Sequence, residues 1–242
     1  ACINSNRINN LKSISLIHIG DVYSMQGKYK LSSDCYEKSL CLKRNLYDEK
    51  HSEIADLYCR IGQNYYNQDR LQKAIEYYNK ALDIQYAIYG KRHSEVANTY
   101  MLLGTTNHKL GNKSVALDYL FDAVNTLKSV LGTEDVNQAR CYMHIANINS
   151  ENDSLYLAYR LKALKIQKEV LSERNIEMAH NLVSISLRYL QMNDIENALK
   201  YAQEGMSIEK EIYGDLHSEI ADMYLIYGIA SGSRNEHEQA IN

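Results

Sequence analysis

Proline is absent from the 242 residues, where an average usage of ~5% would place roughly a dozen. A chain without proline has no polyproline linkers and few forced breaks, which favours one continuous helical body over two tethered domains. Tryptophan is also absent, and there is one phenylalanine against 21 tyrosines. That excludes a Phe-rich core. Tyrosine rings must do the packing, with their hydroxyls at the surface or hydrogen-bonded. There is no basic excess: Lys+Arg number 27 against Asp+Glu 30, a net charge of −3, which argues against a general nucleic-acid binder. No stretch approaches the ~18 unbroken apolar residues of a membrane helix. The opening ACINSNRINN has no apolar core for a secretory signal. The chain starts at Ala1 without a methionine, so it is expected to be excised from something longer.

The five cysteines, Cys2, Cys35, Cys41, Cys59 and Cys141, form an odd set at irregular spacing with no CxxC pair. A complete disulfide framework is excluded and zinc is not indicated. Reduced thiols in a cytoplasmic protein are the expectation. Catalytic motifs are missing as well. There is no GxSxG, HExxH, P-loop or GxGxxG. Cys141 and His144 stand one helical turn apart, but two ligands do not make a metal site. The chain is therefore expected not to be an enzyme and to need no metal or cofactor.

What the chain has is internal repetition. His-Ser-Glu-Ile/Val-Ala occurs at His51–Ala55, His93–Ala97 and His217–Ala221, the first two 42 residues apart. Weaker copies fill the gap, from Asp135 to Ala139 and at Glu177-Met178-Ala179. Gly90, Gly132 and Gly214 each lie seven residues before a repeat alanine. The units run over about 9–50, 51–92, 93–134, 135–174 and 175–216, with a truncated sixth over 217–242, in a single array spanning 1–242. Within one unit, Leu57, Tyr58, Ile61, Gly62 and Tyr65 form an apolar stripe at helical spacing, Asn67-Gln68-Asp69 is a polar break, and Leu71, Ala74, Ile75, Tyr78, Ala81, Leu82 and Tyr86 form a second stripe. Gly90 supplies the left-handed residue that ends a helix. Ser52 or Ser94 is expected to cap the next helix, and the recurring histidines to bond the adjacent backbone. Each unit is thus an antiparallel helix pair that must stack on its neighbours.

Small residues recur at two phases: Gly20, Gly62, Gly104, Ala146, Ser186 and Gly228, and Ser39, Ala81, Ala123, Ala163 and Gly205. A glycine inside a helix costs ~1 kcal/mol relative to alanine, so its recurrence implies backbones too close for a larger side chain. The fourth unit loses two residues. Either Tyr156 takes the slot held elsewhere by Ser32, Ala74, Ala116, Ala198 and Ala240, or Ala158 takes it and the loss falls later.

Tyr58, Ile61, Gly62, Tyr65, Ala74, Tyr78 and Ala81 resemble the tetratricopeptide signature position for position. Tyr100, Leu103, Gly104, Ala116, Leu120 and Ala123 match it with looser aromatics. The 42-residue period and the stretch Ile88-Tyr89-Gly90-Lys91-Arg92-His93-Ser94-Glu95-Val96-Ala97 resemble the kinesin light chain subfamily. The resemblance implies an all-α, right-handed superhelical solenoid of antiparallel helix pairs, about 11 helices without strands, whose first helices line a concave peptide-binding groove.

At about 100° per residue, Asp56, Cys59, Gln63, Tyr66 and Asn67 point away from the packed stripe of their helix. Carried over unit by unit, the expected lining is Ile14, Ile17, His18, Asp21 and Ser24, then Asp56, Cys59, Arg60, Gln63, Tyr66 and Asn67, then Asn98, Met101, Leu102, Thr105, His108 and Lys109. It continues with Arg140, Met143, His144 and Asn147, then His180, Val183, Ser184, Leu187 and Leu190, then Asp222, Leu225, Ile226 and Ile229. The resemblance further implies paired asparagines before the Leu-Ala/Gly of this helix. The pairs here are Cys59-Arg60, Met101-Leu102, Met143-His144, Val183-Ser184 and Leu225-Ile226.

The resulting expectation is a non-enzymatic scaffold whose groove, basic in the middle and apolar toward the C-terminus, takes a protein or peptide partner that is apolar with acidic residues. No nucleic acid or membrane is implied. Self-association through the exposed terminal unit, or fraying from about Ser231, is also expected. The alternative is a sensory or regulatory module of a larger signalling protein or enzyme, its groove filled in cis.

Overall fold

The structure, a computed structural model, describes residues 2–171, 175–214 and 221–233. Among these residues there are eleven helices and no strand. They are α1 (Cys2–Met25), α2 (Tyr29–Leu46), α3 (Ser52–Asn67), α4 (Leu71–Tyr89), α5 (Ser94–Lys109), α6 (Lys113–Leu131), α7 (Val136–Ile148), α8 (Asp153–Val170), α9 (Ile176–Gln191), α10 (Ile195–Tyr213) and α11 (Ala221–Ser233). The chain forms two compact units, Ala1–Val130 and Leu131–Asn242.

In the first unit α1 pairs with α2 and α3 with α4, and α2 packs on α3 and α4 on α5. The core gathers Tyr36, Leu40, Ile54, Leu57, Tyr58, Ile61 and Ala81. In the second unit α7 pairs with α8 and α9 with α10, and α8 packs on α9 and α10 on α11. Leu157, Leu164, Leu182, Ile185 and Ile208 are among the core residues there. These are the stacked helix pairs the repeat predicts.

The turns follow the repeat. Gly90, Gly132 and Gly214 have φ of 72°, 65° and 79°, a region open to glycine at little cost. Between the two helices of a unit, Gly27, Asp69, Gly111 and Asn193 all take positive φ. The helix starts differ from expectation in one respect. Ser52 and Ser94 are the first helical residues, and the caps are the histidines before them: His51 Nδ1 accepts from Glu53 N at 3.3 Å and His93 Nδ1 from Glu95 N at 3.2 Å. Each imidazole also stacks on the last tyrosine of the preceding unit, Tyr47 on His51 at 3.9 Å and Tyr89 on His93 at 4.0 Å between centroids. A serine one residue on cannot make that stack. In the fourth and fifth units the same cap position holds Asp135 and Asn175. The third His-Ser-Glu copy, at His217, lies outside the described residues, as does Ala240.

The glycine phase is a contact phase. A Cβ on Gly20 would lie 2.5 Å from the Tyr36 ring, one on Gly62 2.6 Å from the Tyr78 ring, and one on Gly104 2.8 Å from Leu120 Cγ. Gly228 meets nothing within 4 Å among the described residues, so the expected contact is not found there. Tyr156 is buried and Ala158 exposed, which assigns the slot in the fourth unit to Tyr156. Packed tyrosines bond as expected: buried Tyr36 donates to Asp21 Oδ1 at 2.7 Å, and the hydroxyls of half-buried Tyr86 and buried Tyr100 meet at 2.5 Å. On α1, Ile19 stands at the phase of Ile61, Leu103, Ile145 and Ile185, all 0% exposed, yet is itself 47% exposed. No second helix precedes α1 among the described residues.

Candidate functional site

Sixteen residues of the expected lining, carried by α3, α5, α7 and α9, lie outside the core. Each is exposed or half-buried. They fall on the outward faces of first helices. In the first unit Arg60, Gln63, Tyr66 and Asn67 lie on α3, and Met101, Leu102, Thr105, His108 and Lys109 on α5. In the second unit Arg140, Met143, His144 and Asn147 lie on α7, and His180, Ser184 and Leu187 on α9. The period that buries Ile61 and Leu103 is the one that turns these positions outward.

Neighbouring first helices are joined across this face in the first unit. Arg60 pairs with Asp21 of α1. Ser24 donates to Asn64 Oδ1 at 3.0 Å, and Cys59 and Thr99 meet at 3.7 Å. Lys109 Nζ is 3.0 Å from Asp69 Oδ1 and 4.7 Å from the centroid of the Tyr66 ring. Gln63 Nε2 donates to Asn67 Oδ1 at 3.1 Å. Burial pushes the Cys59 thiol up to about 12, which leaves it inert as a nucleophile at neutral pH. His108 keeps a buried Nδ1 with no hydrogen-bond partner.

In the second unit Arg140 holds both carboxylate oxygens of Glu177, and this hydrogen bonding raises the pKa of the guanidinium. Ser184 Oγ donates to its own helix at His180 O, 3.0 Å away. Met143 Sδ accepts from Gln167 Nε2 at 3.5 Å. Leu187 is exposed, whereas Val183 and Leu190 pack against the core. Ile226 of the sixth unit is 3% exposed and belongs to the core, so its expected place in the lining is corrected. Leu225 and Ile229 of the same helix stay exposed.

The basic middle expected from the sequence is electrostatically closed. Arg60, Lys109 and Arg140 each have a carboxylate partner. Beside them, the apolar Met101, Leu102, Met143 and Leu187 are half-buried or exposed at successive phases, and Asp56 and His180 are exposed.

One residue that sequence reasoning passed over lies directly behind this face. Arg160 of α8 is buried, and its Nη2 donates to Asn147 Oδ1 at 2.7 Å. Its signal was in the repeat. It occupies the slot of Tyr36, Tyr78 and Leu120, where a charge is out of place. A cleft of about 440 Å³ lies elsewhere, between α2, α3 and α4, lined by Glu37, Arg44, Tyr58, Tyr77 and Lys80 among others. Its cations are already on rings: Arg44 bonds Tyr58, and Lys80 lies 4.6 Å from the Tyr77 centroid. Among the described residues no three His, Cys, Asp or Glu gather as a metal site, and no helix is long and apolar enough to cross a membrane.

A tetratricopeptide repeat family model matches residues 11–87 and 53–129. No curated protein sequence matches the chain. Among solved structures it is similar to BtubC (BKLC) from P. vanneervenii, at 15% identity and a TM-score of 0.71, covering 89% of this chain and 92% of that one. It is also similar to a putative kinesin light chain of nearly identical TPR-like repeats from Podosopora anserina, at 13% identity and a TM-score of 0.64 over 83% and 96% of the two chains. A third likeness is to the Rap conjugation gene regulator of plasmid pLS20 in complex with a Phr peptide, at 17% identity and a TM-score of 0.69, covering 93% of this chain and 60% of that one. With the repeat phase, the paired helices and the glycine contacts, residues 11–129 match the tetratricopeptide repeat family and the chain has the fold of a tetratricopeptide-like helix-pair array.

Proposed function

We propose that the chain is a protein-interaction module that binds a peptide or helix of a partner along the first-helix faces of its repeats. Two such faces are available, α1–α3–α5 in the first unit and α7–α9 in the second. The observation that carries this is the state of the side chains on them. Arg60, Lys109 and Arg140 are closed in pairs, while Met101, Leu102, Met143 and Leu187 remain accessible. Methionine is unbranched and polarizable, so it adapts to an irregular apolar partner surface. Apolar anchors supply most of the affinity at such a face, and exposed ion pairs add only ~0–1 kcal/mol each.

The likeness to a Rap regulator whose structure is solved in complex with a peptide supports a peptide as the occupant. The same faces also suit a regulatory module whose groove is filled in cis. The test is affinity capture with the 242-residue chain, followed by mapping of the bound segment. Met101→Asp for the first face and Met143→Asp for the second are then made in folded protein. Loss of binding with unchanged helicity assigns the face. If neither substitution alters affinity, both faces are excluded as the site.

A further inference from the structure

At the slot that faces the small-residue phase, four of the five complete repeats carry an uncharged residue: Tyr36, Tyr78, Leu120 and Ala202. The fourth repeat carries Arg160, 7% exposed. The slot reaches through to the groove. Tyr36 donates to Asp21 at 2.7 Å and Tyr78 to Gln63 at 3.4 Å, and Asn147, the partner of Arg160, stands at the same phase.

Arg160 is hydrogen-bonded but not charge-balanced. Nη2 donates to Asn147 Oδ1 at 2.7 Å, Nη1 donates to Asn181 Oδ1 at 3.2 Å, and the guanidinium lies 5.2 Å from the Tyr156 centroid. Its Nε is buried with no partner. No carboxylate among the described residues bonds it. Burial pushes its pKa down. The Tyr156 phenol opposes that shift, and Arg188 adds to it as a second cation. Arg188 lies 4.1 Å from the same ring, but it has Asp153 at 2.7 Å and Ser150 O at 3.0 Å. An arginine does not escape this by losing its proton. A buried cation satisfied only by amide dipoles and a tyrosine ring, with no carboxylate, is an unfavourable arrangement that a counter-ion would relieve.

Asn147, alone among the bonded partners of Arg160, is exposed, while Asn181 is buried in its own bonds to Gln167 at 2.8 Å and to the Arg160 carbonyl at 3.2 Å. We propose that Arg160 reads a carboxylate on the bound segment: an aspartate or glutamate lying on the α7–α9 face displaces the Asn147 amide oxygen from Nη2 and becomes the counter-ion the buried cation lacks. This rests on the reading of that face as a peptide site. Such a pair is charge-assisted and held away from water, so it discriminates an acid from its amide more sharply than a surface pair does.

The probe is a library of random dodecapeptides displayed on phage and selected on the immobilised chain. The expected result is peptides whose binding is lost in Met143→Asp and which carry Asp or Glu at one fixed position. Replacing that acid by its amide weakens binding about tenfold or more on the unaltered chain. On Asn147→Asp, which supplies the carboxylate from within, and on Arg160→Met, the same replacement changes binding less than about twofold. Because Asn147 is exposed, Asn147→Asp carries the comparison even if Arg160→Met fails to fold. Peptides that need Met143 but show no acid preference, or an acid preference that survives Asn147→Asp, overturn the role of Arg160 and leave the face as a binding site. Absence of any peptide that depends on Met143 overturns the α7–α9 reading itself, and this inference with it.

Discussion

Arg140 closes its guanidinium on Glu177, with Nε 3.0 and 3.2 Å from the two carboxylate oxygens and Nη2 2.9 Å from one of them. The pair ties α7 to the first turn of α9, and Arg60–Asp21 and Lys109–Asp69 make similar ties in the first unit. These cations serve the scaffold before they serve a partner. Raising sodium chloride from 50 to 500 mM is therefore expected to change partner affinity by no more than about threefold, since paired surface charges contribute ~0–1 kcal/mol. Arg140→Glu should instead lower stability, by about 1 kcal/mol, by placing two carboxylates together. A steep salt dependence in a titration would show that unpaired charges dominate the interface.

Gly62→Ala should destabilise the protein by ~1–3 kcal/mol, because the added methyl falls 2.6 Å from a Tyr78 ring that is itself fully buried and has nowhere to move. Gly62→Leu should cost more. Gly228→Ala is the control. With open space around it among the described residues, it should be neutral or stabilising by up to ~1 kcal/mol through helix propensity. Chemical denaturation of the three variants checks the ordering, and equal midpoints for Gly62→Ala and the parent would contradict the contact.

His51→Ala and His93→Ala should each cost ~1 kcal/mol through loss of a helix cap. Serine at either position keeps a capping oxygen but not the stack on Tyr47 or Tyr89, so His93→Ser should recover part of the loss and not all of it. Thermal melts of the alanine and serine variants separate the two contributions.

Burial pushes the Cys59 and Cys141 thiols up to about 12 from about 9, while Cys41 is exposed. A thiol with its folded pKa raised favours the folded state below its unfolded pKa, and that contribution is lost as pH rises through the folded value. Stability should therefore hold to about pH 9 and fall between about 9 and 12, with buried Tyr36 and Tyr78 and half-buried Tyr77 and Tyr86, all raised by desolvation, acting in the same direction. At pH 8 a thiol reagent should modify Cys41 promptly and Cys141 only on unfolding. Mass spectrometry of the labelled sites gives the answer, and early labelling of Cys141 would contradict its burial.

The fold was legible because its determinants repeat. One tetrad, one glycine phase and one alanine phase, each recurring at 42 residues, were enough to place α1 to α10. The site was legible only as a set of outward positions. Their charge state was not, because each partner sits in a neighbouring repeat: Asp21 is 39 residues from Arg60, and Glu177 is 37 from Arg140. Periodicity describes one helix at a time and says nothing about which side chains meet across the stack. Tyr156 shows the same limit. Its fit depends on lying between the guanidiniums of Arg160 and Arg188, an arrangement no single-repeat pattern contains. The histidine caps were half legible, since their phase was evident but the tyrosine stack that favours imidazole over serine was not.

The close approach of Gly20 to Tyr36 and of Gly62 to Tyr78 sets an order on how such repeats can drift apart. While the ring is present, any replacement of the glycine meets it, so the ring must go first and the glycine can follow only afterwards. The repeats of this one chain stand at different stages of that route. Two retain glycine with tyrosine, and the third has Gly104 with Leu120. The fourth and fifth have Ala146 with Arg160 and Ser186 with Ala202. Once the slot had given up its ring, it was open to side chains of a different chemistry, and the buried arginine of the fourth repeat occupies the room that this succession released.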